Sequence, residues 1–152
     1  MHTIRRALLA SVLALVAFAP ACAKEKPQTD CLPVVRDAWI RLVPGGMPMQ
    51  AGFGRIENRC GNPAILVGAR SAMHGSAELH ETKIVDGVNR MRAVPELRIA
   101  PNDAAVLKPG GLHLMLMDPR SPLKAGDKVE IDFALQDGRE VRGTFVVRAP
   151  GG

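Results

Sequence analysis

The segment KVEIDFALQDGREVRGTFVV, residues 128–147, decides the fold class. Apolar and polar side chains alternate on both sides of Asp137-Gly138, as they do in strands that bury one face. Asp-Gly between two alternating runs is the strongest short signal for a β-hairpin. We therefore expect one hairpin that joins Lys128–Leu135 to Glu140–Val147.

Similar runs recur along the chain, and a second Asp-Gly at Asp86-Gly87 predicts another hairpin. Gly and Pro turn signals separate the runs, and no stretch shows helical periodicity. Short strands at these spacings are typical of a Greek-key sandwich, so we predict a single all-β domain of this type. The nine runs are Val34–Val43, Ala51–Asn58, Ala64–Ser71, Glu78–Val85, Val88–Val94, Ala104–Leu107, Leu112–Met117, Lys128–Leu135 and Glu140–Val147.

The length and charge of the chain limit the functions that this protein can have. The chain has 152 residues, enough for one ordinary domain after removal of an export signal. Its formal charge is +5, but the basic residues alternate with acids and form no stripe, which argues against nucleic-acid binding. No nucleophile elbow, phosphate-binding loop or catalytic carboxylate pair is present, so we do not expect an enzyme.

Residues 1–23 have the pattern of an export signal, with a basic start, an apolar run and small residues near its end. Two cleavage modes remain open: ordinary cleavage after Ala21, or lipoprotein cleavage before Cys22, which would then carry a lipid. The polar residues 24–30 are expected to be a linker, and residues 31–152 the folded domain. The predicted location is periplasmic, with membrane attachment only through a lipid on Cys22.

The chain contains three cysteines. If Cys22 carries a lipid, Cys31 and Cys60 remain as a pair in an oxidising compartment, where free thiols seldom persist. Two unrelated buried thiols are the alternative. We predict a disulfide between Cys31 and Cys60.

Histidines and methionines at particular spacings suggest a metal site. His113 and Met115 are two apart on a predicted strand and so share a face, while the intervening Leu114 points to the core. His80 and Met91 lie on the two strands of the hairpin at Asp86-Gly87, which can bring them together. These four residues are the candidate ligands.

The chemistry of this ligand set favours Cu(I). Thioether sulfur is soft and uncharged, whereas zinc prefers thiolate, imidazole or carboxylate. A thioether also cannot be lost to disulfide formation in an oxidising space. With seven Met and four His in the chain some pairings arise by chance, and a single Met on a strand usually fills a core.

Beyond spacing, the sequence resembles the PCu(A)C family of periplasmic copper chaperones. His80, ten residues, Met91, twenty-one residues, then His113-x-Met115 is similar to the family signature without a gap. The resemblance covers residues 37–147, with Phe53 where the family usually has Tyr. Further similar segments are Ala38–Arg41, Glu57-Asn58, Glu78–Thr82, Pro109–Met117 and Leu123–Asp127.

The resemblance implies a cupredoxin-like β-sandwich with one Cu(I) site near the surface. It also implies delivery of copper toward the Cu(A) centre of cytochrome c oxidase, alongside Sco-type proteins. The alternative function is copper storage or resistance, which would favour more ligands per chain. A blue-copper electron carrier needs a thiolate beside two His, and no Cys is near His80 or His113 in sequence.

Several other residues could serve the site or be unrelated to it. Met117 shares the face of Met115 and could shield the metal, or simply pack. Glu78 and Glu81 flank His80 and could orient its ring. Trp39 is expected to anchor the core. Two more pairs, Met47 with Met49 and Met73 with His74, could form a loading route for copper or be exposed loop residues.

Overall fold

The computed structural model describes residues 31–150, which form an all-β domain. The predicted signal peptide, linker and lipid site at Cys22 lie outside the described residues. Within residues 31–150 no helix is long and apolar enough to cross a membrane. The ten strands are β1 Val34–Arg41, β2 Met49–Asn58, β3 Ala64–Arg70, β4 His74–Val85, β5 Val88–Ala93, β6 Leu97–Ile99, β7 Asp103–Leu107, β8 Leu112–Pro119, β9 Lys128–Leu135 and β10 Glu140–Arg148.

All nine predicted runs are strands, and some bounds differ from the prediction. The structure adds β6, whose three residues are too few to show alternation in the sequence. It also begins β4 at His74 instead of Glu78. Gly75 and Ser76 are poor strand formers, so the sequence pattern did not predict a strand at the start of β4.

The strands form one sheet that curls until its ends meet. Neighbouring strands follow the order β4-β8-β2-β1-β10-β9-β3, and the pair Ala69–Ala77 joins β3 back to β4. The pair β1–β10 is parallel, with Trp39 opposite Val146. Each strand of this ring therefore has an inner face toward one core and an outer face, and the predicted all-β, cupredoxin-like class is confirmed.

The inner faces bury a single apolar core. Leu114, Leu116, Ile131 and Phe133 are inaccessible to solvent, and Phe145 packs beside Phe133 with a ring separation of 6.3 Å. Residues two apart in β8, β9 and β10 supply these side chains, as the alternation of the sequence predicts. The core buries the inner face of β8, so His113 and Met115 lie on the outer face of a strand that packs against the core.

Both predicted hairpins are present. At the first, Val85 pairs with Val88, and Asp86 and Gly87 have φ angles of 53° and 75°. Two positive φ angles are what a two-residue type I′ turn requires, which explains the Asp-Gly sequence. The turn fixes the register of β4 and β5, and with it the position of Met91.

The predicted disulfide is also present, and it ties the start of the domain to the end of β2. Cys31 and Cys60 are bonded with a Cα–Cα distance of 5.7 Å. Hydrogen bonds of the Asn58 side chain stabilise this end of the domain. Its amide nitrogen donates to the backbone carbonyls of Asn62 and Ile99, and its side-chain oxygen accepts from the Cys60 backbone N–H.

Candidate metal site

The outer faces of β4 and β8 carry three of the four candidate ligands in one patch. His80 pairs with His113 across the two strands, and Glu78 pairs with Met115 one step further along. Paired residues in neighbouring strands point to the same side of the sheet. The two imidazole rings have centroids 6.2 Å apart.

His113 holds one proton on the side away from the patch. Its Nδ1 lies 2.8 Å from the Gly111 carbonyl oxygen, which can only accept, so Nδ1 carries the proton in the neutral ring. Nε2 therefore presents a lone pair, and it faces the Met91 sulfur at 3.3 Å. Two electron-pair donors of different softness thus converge on one point.

Met91 reaches this position from β5. It pairs with Thr82, while Ala93 pairs with His80, so Met91 lies diagonally across the hairpin on the face of His80. The Met91 side chain is 54% exposed. An exposed thioether held against an imidazole gains little from burial, so packing does not explain the position of Met91.

His80 is oriented by Glu78. The Glu78 carboxylate lies 3.2 Å from Nε2, so this nitrogen donates to it and carries the proton. Nδ1 is then the free lone pair, and it is buried with no hydrogen-bond partner. A buried ring nitrogen without a hydrogen-bond partner destabilises the folded state unless a ligand binds to it.

The side chain of Met115 is 8% exposed and lies on the same face as His113. It is buried outside the central core cluster, so it packs on the outer face of β8. In the structure the Met91 sulfur contacts His113, and the ring of His80 lies near the ring of His113. Strand pairing places Met115 next to these residues. Exposure rises from the buried His113 and Met115 to the open Met91.

Glu81 has a different role from Glu78. It forms ion pairs with Arg92 and Lys83 at 2.8 and 3.2 Å, and the hydrogen bond from Arg92 lowers the pKa of its carboxyl. It lies on the opposite face from His80, because it is the next residue in the strand. Of the two predicted orienting carboxylates, the one that contacts His80 is Glu78.

The prediction that Trp39 anchors the core was wrong. Trp39 is half-buried on the outer face, stacked on Phe53 with ring centroids 4.6 Å apart. The guanidinium groups of Arg41 and Arg148 lie 5.9 and 5.1 Å from its ring. Alternation places Ile40 in the core, so its neighbour Trp39 must face outward.

Phe53 is a buried aromatic residue on β2, the strand that pairs with the strand of His113. It follows Gly52, which pairs with Leu114, so Phe53 lies beside His113 on the outer face of the next strand. Phe53 is 3% exposed because the indole of Trp39 covers it. This apolar wall was not found from the sequence, although Phe53 at the family's Tyr position was a signal.

His74 is not a loading residue for copper. It is 1% exposed, with Nε2 at 3.0 Å from the Gln50 side-chain oxygen and Nδ1 at 3.2 Å from the Ser71 hydroxyl. Burial lowers the pKa of its imidazole. Met73, its neighbour, is partly buried and packs against the core.

The other methionines remain near the surface. Met47 and Met49 are 47% and 39% exposed, and Met117 is half-buried on β8. Met49 was expected in a loop, but it begins β2 and pairs with Met117. Met117 therefore lies opposite another thioether on the face of Met115.

Cysteine cannot supply a thiolate to a metal in the described domain, because both of its cysteines are in the disulfide. Within residues 31–150 no three His, Cys, Asp or Glu side chains form a metal-holding group. The donors that complete the pair of imidazoles are thioethers. This donor set suits a soft monovalent ion.

Solved structures place the fold among the PCu(A)C (PCuAC) domains. The copper-bound PCuAC domain from PmoF2 is 22% identical, with a TM-score of 0.62 over 76% of this chain and 92% of that domain. DR1885 of Deinococcus radiodurans, solved with Cu(I), is 31% identical, with a TM-score of 0.62 over 83% of this chain and 85% of that protein. The resemblance seen in the sequence is confirmed.

The chain belongs to the LpqE-like family, whose model matches residues 34–147. A protein of Leifsonia xyli subsp. xyli, provisionally named as a lipoprotein, is 38% identical over 105 residues. That match covers 68% of this chain and 62% of the relative. A Rickettsia prowazekii protein is 38% identical over 99 residues, 64% of this chain and 55% of its own length. The chain thus spans less than two thirds of these relatives.

Proposed function

We propose that this protein carries one Cu(I) ion and delivers it to a copper-accepting partner outside the cytoplasmic membrane. The proposed ligands are His113 Nε2, His80 Nδ1 and the sulfurs of Met91 and Met115. The observation that carries the proposal is the approach of His113 Nε2 to the Met91 sulfur at 3.3 Å, with the His80 ring 6.2 Å from the His113 ring and its buried Nδ1 without a hydrogen-bond partner.

The protonation states fit a metal without rearrangement. Gly111 and Glu78 accept the single protons of His113 and His80, so each ring keeps a lone pair on its other nitrogen. Metal binding at these nitrogens then releases no proton from a neutral ring. Thioethers need no deprotonation at all, and they favour Cu(I) over harder or borderline divalent ions.

The gradient of exposure supports transfer over storage. Met91 is the most accessible of the four side chains, whereas His113 and Met115 are buried. A partner's ligand can therefore replace Met91 first, while the buried donors still hold the ion. The direction of transfer is then set by the relative affinities of the two proteins.

The resemblance supports the Cu(A) centre of cytochrome c oxidase as the destination, directly or through a Sco-type protein. DR1885, which is 31% identical to this chain over the aligned residues, was solved with Cu(I). The predicted export signal and the disulfide support a periplasmic location. The relative named as a lipoprotein supports a lipid on Cys22 as the membrane anchor. We do not propose an enzymatic activity.

Cu(I) titration against a chromophoric chelator under anaerobic conditions tests the proposal. The purified protein should withhold one equivalent of Cu(I) from the chelator, and the double variant His113→Ala, Met115→Ala should withhold none. Met47→Leu is the matched control, since Met47 is an exposed methionine outside the patch.

Circular dichroism must show that the double variant is folded. Equal Cu(I) retention by the folded double variant and the wild type would refute the proposed site. Absence of tight binding in the wild type would refute the carrier function itself.

A further inference from the structure

Three methionines lie side by side on β2 and β8, and one of them, Met115, is a proposed ligand of the copper site. Met49 and Met117 are directly opposite each other on β2 and β8, and the next pair on the same face is Ala51 with Met115. Side chains at directly paired positions have Cβ atoms about 5 Å apart. Met115 thus has a proposed copper ligand, His113, on one side and the Met49–Met117 pair on the other.

Packing does not account for this pair. Neither Met49 nor Met117 belongs to the central core cluster or packs against it, whereas Met73 does. Met49 is 39% exposed at the open edge of the patch. The residue opposite Met117 on its other side is Ser76, and Ala51 lies opposite Met115. Small neighbours leave room for long, flexible thioethers to turn toward each other.

The chemistry of three thioethers differs from that of the main site. Sulfur donors without imidazole still select a soft ion such as Cu(I) over Zn²⁺ or Mg²⁺. They bind it more weakly than a set that includes two preoriented imidazoles with their hydrogen-bond partners. A weak site that shares one ligand with a strong one allows an ion to move between them without full release.

We propose that Met49 and Met117, together with Met115, form a second and weaker Cu(I) site through which the ion reaches or leaves the main site. This inference rests on the proposed function. During the transfer Met115 stays bound while Met49 and Met117 replace His80, Met91 and His113. The ion remains Cu(I), so no electron or proton is exchanged.

Titration with Ag(I), an oxygen-stable substitute for Cu(I), tests the second site. The protein is labelled with ¹³C at the methionine methyl groups, so that each thioether reports separately. The first equivalent of Ag(I) should shift the Met91 and Met115 signals. Further equivalents should shift Met49 and Met117 together at concentrations that leave the Met47 signal in place. Met47 is the control because it is more exposed, at 47%, but has no paired thioether.

A double variant provides a second test of the Met49–Met117 site. In Met49→Leu, Met117→Leu the first set of shifts should remain and the second should be lost, with slower release of Cu(I) to a chelator. Unshifted Met49 and Met117 signals, or signals that move only in step with Met47, would overturn the second site alone. Failure of Met91 and Met115 to shift first would instead contradict the proposed function.

Discussion

His113 and Met91 face each other at 3.3 Å, with the imidazole proton on the far nitrogen, where the Gly111 carbonyl accepts it. Neither facing atom can therefore donate a strong hydrogen bond to the other. The contact brings together two atoms that we propose as copper ligands, and it contributes little to folding. Its chemical consequence appears when a cation lies between the sulfur and the nitrogen.

Replacing Met91 with leucine removes one donor at nearly constant volume. We expect Cu(I) affinity to fall by at least about tenfold, equivalent to about 1.4 kcal/mol, because a ligand is lost. The free energy of unfolding should stay within about 0.5 kcal/mol, since the side chain is 54% exposed. Competition with a chelator measures the first quantity and urea unfolding the second. Met73→Leu, a methionine that packs on the core, should leave Cu(I) affinity unchanged.

Glu78→Gln tests the orientation of His80. The neutral Gln amide oxygen is a weaker acceptor than the carboxylate at 3.2 Å and holds the His80 proton on Nε2 less firmly, so Cu(I) affinity should fall by about 10- to 100-fold. Glu81→Gln is the matched control, because Glu81 pairs with Arg92 and Lys83 instead. Equal losses of Cu(I) affinity in the two variants would show that Glu78 acts only through net charge.

His74 gives the domain a pH-dependent stability. Burial lowers the pKa of its imidazole, so the folded state binds a proton less readily than the unfolded chain. The free energy of unfolding should therefore decrease as the pH falls below about 6.5, the ordinary His value, and this loss should continue down to the lower pKa of the folded state. Urea unfolding between neutral and mildly acidic pH should show a weaker dependence in His74→Gln. An unchanged dependence would assign the effect to other groups.

Gly54→Ala should be strongly destabilising. Gly54 has a φ of +149°, and an added Cβ would lie 2.9 Å from the Ala38 Cα. Strain and steric overlap together should lower the free energy of unfolding by at least about 2 kcal/mol. Gly68→Ala is the control, because an added Cβ there meets nothing within 4 Å. Thermal unfolding of both variants measures the difference.

Removing the disulfide should lower the stability of the domain without changing its copper binding. Cys31→Ser, Cys60→Ser releases a cross-link with a sequence separation of 29, which should cost about 3 kcal/mol of unfolding free energy. Cu(I) affinity of the folded variant should not change, because neither cysteine is near the ligands. A parallel loss of affinity in chelator competition would contradict this separation.

The strands and the face of His113 and Met115 could be predicted from the sequence because alternation is a local property. The Asp86-Gly87 turn likewise fixed the register that brings Met91 toward His80. Pairing between distant strands was not accessible in this way. Thus the position of Met49 opposite Met117 emerged only from the structure.

Side-chain partners were harder to predict than strands. The sequence offered Glu78 and Glu81 equally, and alternation alone should have favoured Glu78, which shares the face of His80. The same rule would have placed Trp39 outside the core once Ile40 was assigned inside. The contact from His113 to the Gly111 carbonyl depends on a ring orientation that no sequence pattern encodes.

The disulfide also determines how the domain can be presented to other molecules. Cys60 lies just beyond the end of β2, whereas Phe53, beside His113, lies seven residues earlier, a distance of about 20 Å along an extended strand. Any segment that precedes Cys31 therefore joins the domain at its far end. With the proposed lipid on Cys22 as the anchor, the proposed copper site would lie at the other end of the domain, and anchoring and docking would use separate surfaces.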